Sequence, residues 1–311
     1  MFDPDHTMIR MLDNDQTSSP WTTRLTGTYG VWLGLGAQPK DRPGLRELAA
    51  EVEQLGFTAL WLGGSWGTDL SVPADLLSGS TDLVVGTSIA NIWRDPAASV
   101  AASYTALAEQ FGDRFVLGVG PGHAAQVNLH HDRYARPLHA LGEFLDGLDA
   151  AVPPVPASQR ALAALGPKAL RMAAERSAGA LPYLTTPEHT RQAREILGAG
   201  VFLAPEQKLV LAADAEPARE RARDALEYYL KLPNYVNAWR RLGFEEDDFA
   251  DRGSDRLIDA LFGWGSPEDA LQRLQQHREA GADHVCIQPI PAEGRRPIDD
   301  LSVLAKELGL V

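Results

Sequence analysis

The sequence predicts a single-domain α/β chain folded as a (β/α)8 TIM barrel, on three observations. Apolar runs of strand length alternate with segments whose apolar residues recur every three to four positions. The stretch Leu83–His123 holds two such strands with one helix between them, which is a parallel βαβ unit. The length, 311 residues, suits one barrel of this kind. Barrels carry their chemistry at the C-terminal strand ends. In this unit those ends are Ser88-Ile89 and Gly120-Pro121-Gly122-His123.

Taken in order, Tyr29–Leu35 is the first strand, with Gly34 and Gly36 leaving room at its end. Leu45, Leu48, Val52 and Leu55 then share one helical face, closed by Gly56. Thr58–Leu62 is the second strand, followed by Gly63-Gly64-Ser65-Trp66-Gly67 and a short helix near Pro73–Leu77. After the third strand, Asp95-Pro96 opens a helix carrying Val100, Tyr104, Leu107 and Phe111, with Asp95 as N-cap. Phe115–Gly120 is the fourth strand, and Leu138, Leu141, Leu145 and Leu148 mark the next helix. The Pro-rich run Val152–Pro156 is a rigid connector, after which the same alternation resumes. Strands are expected at Arg160–Leu165, Ala180–Leu184, Lys208–Ala213 and His284–Gln288. Helices are expected to open at Gly166-Pro167, Thr186-Pro187, Pro217 and Ser266-Pro267, with a last one over Leu301–Leu308. The polar segment Glu245–Asp259 reads as a loop over the barrel mouth. Residues 1–26, polar and acidic, read as a mobile extension, leaving 27–311 as the barrel.

Composition narrows the function. The net charge is −13, with 42 acidic against 29 basic residues, which argues against a general nucleic-acid or acidic-membrane surface. The lone cysteine, Cys286, excludes a disulfide framework and a Cys-based zinc cluster, and its apolar setting marks it as a core thiol. No apolar run approaches the ~20 residues of a membrane span. The N-terminus lacks a signal-peptide pattern. A cytoplasmic enzyme acting on a small molecule is the expectation.

Several motifs carry competing readings. Gly63–Gly67 matches the G-x-S-x-G nucleophile elbow, with Ser65 as nucleophile, but the helix that must follow at once is replaced by loop-like Thr68–Pro73. Gly118–Gly122 lacks the spacing of a dinucleotide fingerprint. His130-His131-Asp132 contains metal-ligand types, but adjacent residues share one metal face poorly, and no metal site is assigned. Gly166-Pro167-Lys168 places free helix-terminal amides and a cation where a phosphate would sit, or is an ordinary loop with Pro at the first helical position. Trp32, Trp61, Trp66, Trp93 and Tyr183 cluster at strand ends. Trp66 and Trp93, in loop-like settings, suit packing against a planar ligand.

Blocks spread from Tyr29 to the C-terminus resemble the luciferase-like monooxygenase superfamily, and within it the actinobacterial oxidoreductases that use the deazaflavin coenzyme F-420. They are Leu55–Trp61, Gly86–Trp93, Phe115–Gly120, Ala164–Lys168, Thr185–Thr190 and Gly281–Val285. The resemblance implies a bacterial-luciferase-like barrel. It implies a non-proline cis peptide at Ser88–Ile89, with Ala90 beside it, behind the deazaflavin ring. It places Gly120-Pro121-Gly122-His123 at the ring's reactive edge with Gln126 along the wall, and Leu165-Gly166-Pro167-Lys168 as the phosphate cradle. Gly34, Gly64 and Gly120 clear room for the cofactor, with Ser65 beside Gly64. Trp32, Trp66, Trp93 and Tyr183 line the substrate pocket.

The chain also departs from the resemblance. F-420-dependent sugar-phosphate dehydrogenases carry an Asp-His pair where this chain has Gly63-Gly64-Ser65, and a Glu where it has His123. Sugar-phosphate oxidation is therefore not expected. His123 acts as acid or base, for which its ordinary pKa is suited, or it lines the pocket. The expected reaction is hydride transfer between F-420 and a small organic substrate. One alternative is an FMN-dependent monooxygenase served by a separate reductase; another is a non-catalytic flavin-binding barrel. Family likeness implies a homodimer.

Overall fold

A computed structural model describes residues 20–124 and 134–311. Among them ten strands form one all-parallel sheet: β1 Tyr29–Leu33, β2 Ala59–Trp66, β3 Val84–Asn91, β4 Phe115–Gly120, β5 Arg160–Leu162, β6 Gly179–Ala180, β7 Phe202–Leu203, β8 Glu206–Leu211, β9 Phe262–Gly265 and β10 Val285–Pro289. Their order is β7-β6-β5-β4-β3-β2-β1-β10-β8-β9. Only Ala204-Pro205 separates β7 from β8, and together they form one stave. Along one edge Phe202, Ala204 and Glu206 donate their amides to Ala178, Ala180 and Pro182. Along the other, Leu203 and Pro205 accept from Asp283 and Cys286. The ring of eight staves therefore closes through residues 202–211, and β9 is an extra strand beside β8, in register from Lys208↔Phe262 to Leu211↔Gly265. Pro205 has no amide to give β10, which divides the stave in two.

The sequence-based elements hold in order and differ in extent. The expected fifth and sixth strands shrink to Arg160–Leu162 and Gly179–Ala180. The helix after β3 runs Ala97–Phe111 with Pro96 at its N-cap, while the Asp95 carboxylate accepts the Thr68 amide instead, at 2.9 Å. Thr186 and Ser266 cap their helices as expected, by accepting from the amides of His189 and Asp269. The Pro-rich run Val152–Pro156 lies within the same ring, between helix Pro137–Asp149 and β5.

Two expectations are corrected. Glu245–Asp259 is not a bare loop over the mouth. It contains helices Glu246–Phe249 and Asp255–Leu261, and Leu257, Ile258 and Leu261 are buried against Leu226, Val210 and Phe262. Its charges are taken up in ion pairs such as Arg256–Asp248 and Arg223–Asp255, which made a packed segment look like solvated loop. Second, Pro20–Leu25, inside the stretch read as a mobile extension, is a helix with Trp21 and Leu25 fully buried. Trp21 packs edge-on against Phe202 (4.9 Å between ring centres) and Trp61 (6.3 Å), and its indole N–H donates to the Ser158 carbonyl. Residues 1–19 lie outside the described residues. Among the described residues no helix is long and apolar enough to cross a membrane. Cys286 is buried, as expected.

Two fully buried histidines brace the barrel. His277 Nε2 donates to Gln207 Oε1 and its Nδ1 accepts from the Thr190 hydroxyl, both at 2.8 Å. His284 accepts the Trp61 indole N–H on Nε2 (3.4 Å) and meets Thr28 Oγ1 through Nδ1 (3.0 Å). Burial pushes each pKa from 6.5 down to about 3. In the unfolded chain both rings take up protons below about pH 6.5, which the folded protein refuses until about pH 3. Stability is therefore intact above the unfolded value and is lost as pH falls through that window. His277→Gln removes one of the two proton uptakes, so its unfolding free energy falls less steeply between about pH 6 and 4 than the wild type's. Denaturant titrations across this range giving equal slopes would refute that role for His277.

Candidate active site

A cavity of about 1520 Å³ opens at the C-terminal ends of the barrel strands. Its floor comes from β1, β2 and β3. The Ser88–Ile89 peptide is cis, as the resemblance implies, and both residues line the cavity. The Trp32 indole N–H donates to Ser88 Oγ at 3.0 Å, fixing a flat apolar ring across the mouth. A Cβ on Gly63 would lie 2.1 Å from that ring, so only glycine there lets the indole lie over β2. Gly34 and Gly64 line the cavity as expected.

Ser65 also lines it, but its Oγ accepts from Asn91 Nδ2 (2.9 Å) and it lies within β2, with the next helix starting only at Ser71. That removes the nucleophile-elbow reading, because no strained strand-to-helix turn presents the hydroxyl. Asn91 Oδ1 takes the Trp93 amide, and the Trp93 indole donates to the Pro121 carbonyl, so the corner after β3 is tied to the turn after β4. Trp93, Pro121, Gly122 and His123 all face the cavity.

Three expected residues do not line it. Ala90 belongs to the apolar core, Gly120 is closed off by Ala163 and Ile89, and Trp66 turns its indole N–H onto the Leu62 carbonyl and packs against the core. Gln126 lies outside the described residues, as do His130 and His131. Among the described residues no group of His, Cys, Asp or Glu could hold a metal.

The opposite end is cationic. Helix Pro167–Arg176 begins at Gly166, which offers no side-chain cap, and Pro167 carries no amide, which leaves the next first-turn amides without a side-chain partner, and Lys168 and Ala169 line the cavity. Leu165 lines this end too, and His189 Nε2 donates to its carbonyl at 2.8 Å, bracing the turn. Around it stand Lys168, Arg171 and Arg241, the last with Nη2 at 3.6 Å from where a Gly166 Cβ would be. None of the three pairs with a carboxylate among the described residues. Sequence reasoning missed Arg171, although it lies one helical turn past Lys168. Arg241 had no local signal at all.

The third wall is aromatic. Tyr183, Tyr229 and Tyr235 pack at 5.1–6.2 Å between ring centres, with His123 at 5.5 Å from Tyr235. The Tyr183 hydroxyl donates to Gln288 Oε1 (3.1 Å) and lies 2.9 Å from that of Tyr229, which is left to donate to it. Behind Tyr183, Lys208 Nζ sits 3.8 Å from the ring centre and 3.1 Å from Glu206 Oε1. Burial pushes Lys208 down to about 8 and Glu206 up, and their mutual attraction offsets part of both shifts. His123 Nδ1 is buried without a partner among the described residues, and burial lowers the ring's pKa, keeping it neutral at pH 7. Arg94 lies on the rim, bound to the Ser65 carbonyl. Among the described residues no Asp or Glu lines the cavity, although the chain carries a net charge of −13.

The described residues thus offer a flat apolar floor, an anion-accepting rim and an aromatic wall with a neutral histidine, an arrangement suited to a long cofactor plus a substrate. A family model for luciferase-like monooxygenases matches residues 25–284. A Mycobacterium tuberculosis protein provisionally described as a coenzyme F-420-dependent oxidoreductase is 28% identical, over 88% of this chain and 98% of that one. The structure of coenzyme F-420-dependent tetrahydromethanopterin reductase from Methanopyrus kandleri superposes with a TM-score of 0.70 at 17% identity, covering 90% of this chain and 97% of that one. The oxygenating constituent of 3,6-diketocamphane monooxygenase from Pseudomonas putida, in complex with FMN, superposes with a TM-score of 0.61 at 14% identity, covering 91% and 98%. The barrel, the cis peptide at its third strand and the family match over most of the chain agree: this protein belongs to the luciferase-like monooxygenase family of enzymes.

Proposed function

We propose that this enzyme binds coenzyme F-420 and transfers a hydride between it and a small organic substrate. The observation that carries the reading is the division of one cavity into a flat apolar floor and a cationic rim with no carboxylate among the described residues. The F-420-dependent description of the M. tuberculosis relative supports it. F-420 supplies two-electron hydride chemistry when bound. Lys168, Arg171, Arg241 and the first amides of helix Pro167–Arg176 would hold its anionic tail, since a helix N-terminus and unpaired cations both favour negative charge. Trp32, Ser88 and Ile89 would support its planar ring, and the aromatic walls would exclude water. His123, neutral by burial, holds a proton on one ring nitrogen and a lone pair on the other, so it can give or accept a proton in the site.

An FMN-dependent monooxygenase is the second reading, favoured by the FMN-bound structural neighbour. It would use the same rim for the FMN phosphate and need a reductase to supply reduced flavin. A homodimer and a cytoplasmic setting belong to both readings and rest on family likeness.

Titrating the purified protein with F-420 and with FMN separates the two, with saturable F-420 binding expected. Tight FMN binding with no F-420 binding would overturn the first reading. Lys168→Ala and Arg241→Ala should each weaken F-420 binding by about tenfold or more, since each removes a charge-assisted contact. Fluorescence titrations at two salt concentrations check this, and unchanged affinity in both variants would exclude the rim as the tail site. Gly63→Ala should displace the Trp32 indole and cost roughly tenfold or more in F-420 affinity with circular dichroism unchanged. Retained affinity would mean the floor does not support the ring.

A further inference from the structure

We propose that the aromatic end of the cavity is a subsite for uncharged, ring-bearing carbonyl compounds, with the Tyr235 hydroxyl donating to the carbonyl oxygen. The inference rests on the reading above, in which the cationic rim takes the cofactor's tail and leaves this end for substrate.

The charge inventory comes first. Among the described residues, the ionised pair behind this wall is Lys208 and Glu206, which lie 3.1 Å apart behind the Tyr183 ring and do not line the cavity. A carboxylate or ammonium on a ligand entering here would lose its hydration and meet ring faces and a neutral imidazole, with no free opposite charge among the described residues of this wall to compensate. The three unpaired cations stand at the Gly166 turn, which the cofactor's tail occupies in the reading above. The faces of Tyr183, Tyr229 and Tyr235 instead match a flat apolar body.

The donor inventory comes second. The proton of Tyr229 goes to Tyr183 and that of Tyr183 to Gln288, so both hydroxyls are committed within the protein. Tyr235 lines the cavity, is only 4% exposed, and its hydroxyl has no hydrogen-bond partner among the described residues. Burial keeps that hydroxyl protonated far above neutral pH, so it is a donor. The side-chain nitrogen of Gln288, turned away from Tyr183, is a second donor at the same wall. The hydroxyl has no protein acceptor among the described residues and faces the cavity, so a ligand oxygen there can accept its proton, whereas a hydrocarbon of the same shape cannot. Aromatic walls select the flat body, and the free hydroxyl selects one acceptor oxygen on it.

The test uses tetralone, its parent hydrocarbon tetralin and a ring-carboxylated tetralone, each titrated calorimetrically into F-420-loaded and cofactor-free protein. Tetralone should bind saturably and at least about tenfold more tightly than the carboxylated analogue. Tyr235→Phe should weaken tetralone by about tenfold and leave tetralin unchanged, because only the hydrogen bond is removed. No saturable tetralone binding, equal affinity for the carboxylated analogue, or equal losses for ketone and hydrocarbon in Tyr235→Phe would each overturn the proposal. The selectivity among the three ligands is read in the wild-type protein, so it stands even if the variant fails to fold. Failure of F-420 to bind would end the cofactor reading by itself; the subsite is then decided in the cofactor-free protein by tetralone against tetralin and by Tyr235→Phe, because the open cationic rim can bind the carboxylated analogue there.

Discussion

The mouth of this barrel is organised by an ammonium group buried on the stave that closes the ring. Lys208 is 1% exposed, and its one charged partner among the described residues is Glu206, 2% exposed and two positions earlier on β8, where both side chains share one face. The spare carboxylate oxygen of Glu206 accepts the Leu184 amide at 2.9 Å, holding a leucine at φ +53, where non-glycine residues are uncommon. The ammonium lies under the Tyr183 ring and within 5.6 Å of the Tyr229 ring centre. One ion pair thus fixes the end of the sixth stave and the orientation of the aromatic wall. Removing either partner strands a buried charge, at a cost of about 3–5 kcal/mol. The wall therefore depends on β8 as well as on the segments that carry its rings.

Charge is distributed so that this acidic chain presents a cationic cavity. Many carboxylates are engaged elsewhere, in contacts that hold elements together. Asp75, nearly buried, receives Arg42 and Arg46 from the neighbouring helix, and Glu53 receives the amides of Thr81, Asp82 and Leu83 at the start of the third stave. With those acids engaged there and none on the cavity lining among the described residues, the three exposed cations at the Gly166 turn are left without a carboxylate partner at the cavity rim. In the reading proposed above, one end of the site takes an anion and the other is left to shape and hydrogen bonding.

Legibility in the sequence follows how local each feature is. The stave order and the helix start at Gly166-Pro167-Lys168 were readable because apolar periodicity and helix-start chemistry are written in neighbouring residues. Pro205 hid the true start of the seventh stave by interrupting its pattern. The extra strand Phe262–Gly265, with glycines at alternate positions, carries too little apolar contrast to announce itself. Trp66 and Trp93 look alike in sequence, yet one indole bonds back to its own strand at Leu62 while the other reaches Pro121 and stays in the cavity. Arg241 and Tyr235 reach the site from helix Pro233–Arg241, and only the tertiary packing brings that helix beside Gly166 and His123. The cis Ser88–Ile89 bond was legible through family resemblance, not through any propensity of Ser or Ile.

The interior shows why the first three staves accept glycines that would ordinarily weaken a strand. Each of β1, β2 and β3 carries a glycine lying against a large ring. A Cβ on Gly30 would fall 2.4 Å from His284, one on Gly63 2.1 Å from Trp32, and one on Gly86 2.4 Å from Trp61. The rings occupy the volume that side chains on those glycines would otherwise claim, so the barrel is filled by a few bulky groups rather than by even layers of aliphatic ones. Trp61 and His284 touch each other, and the Trp32 and Tyr183 ring centres lie 4.7 Å apart. Floor and wall of the cavity are thereby continuous with the buried core. Ridding the mouth of Trp32 would open space over Gly63 and loosen Tyr183, and with it the hydroxyl chain to Tyr229 and Gln288. The ligand-facing surface is the top layer of the packing that closes the barrel, so its shape is set by core constraints and only its outer rim is free to vary with the loops.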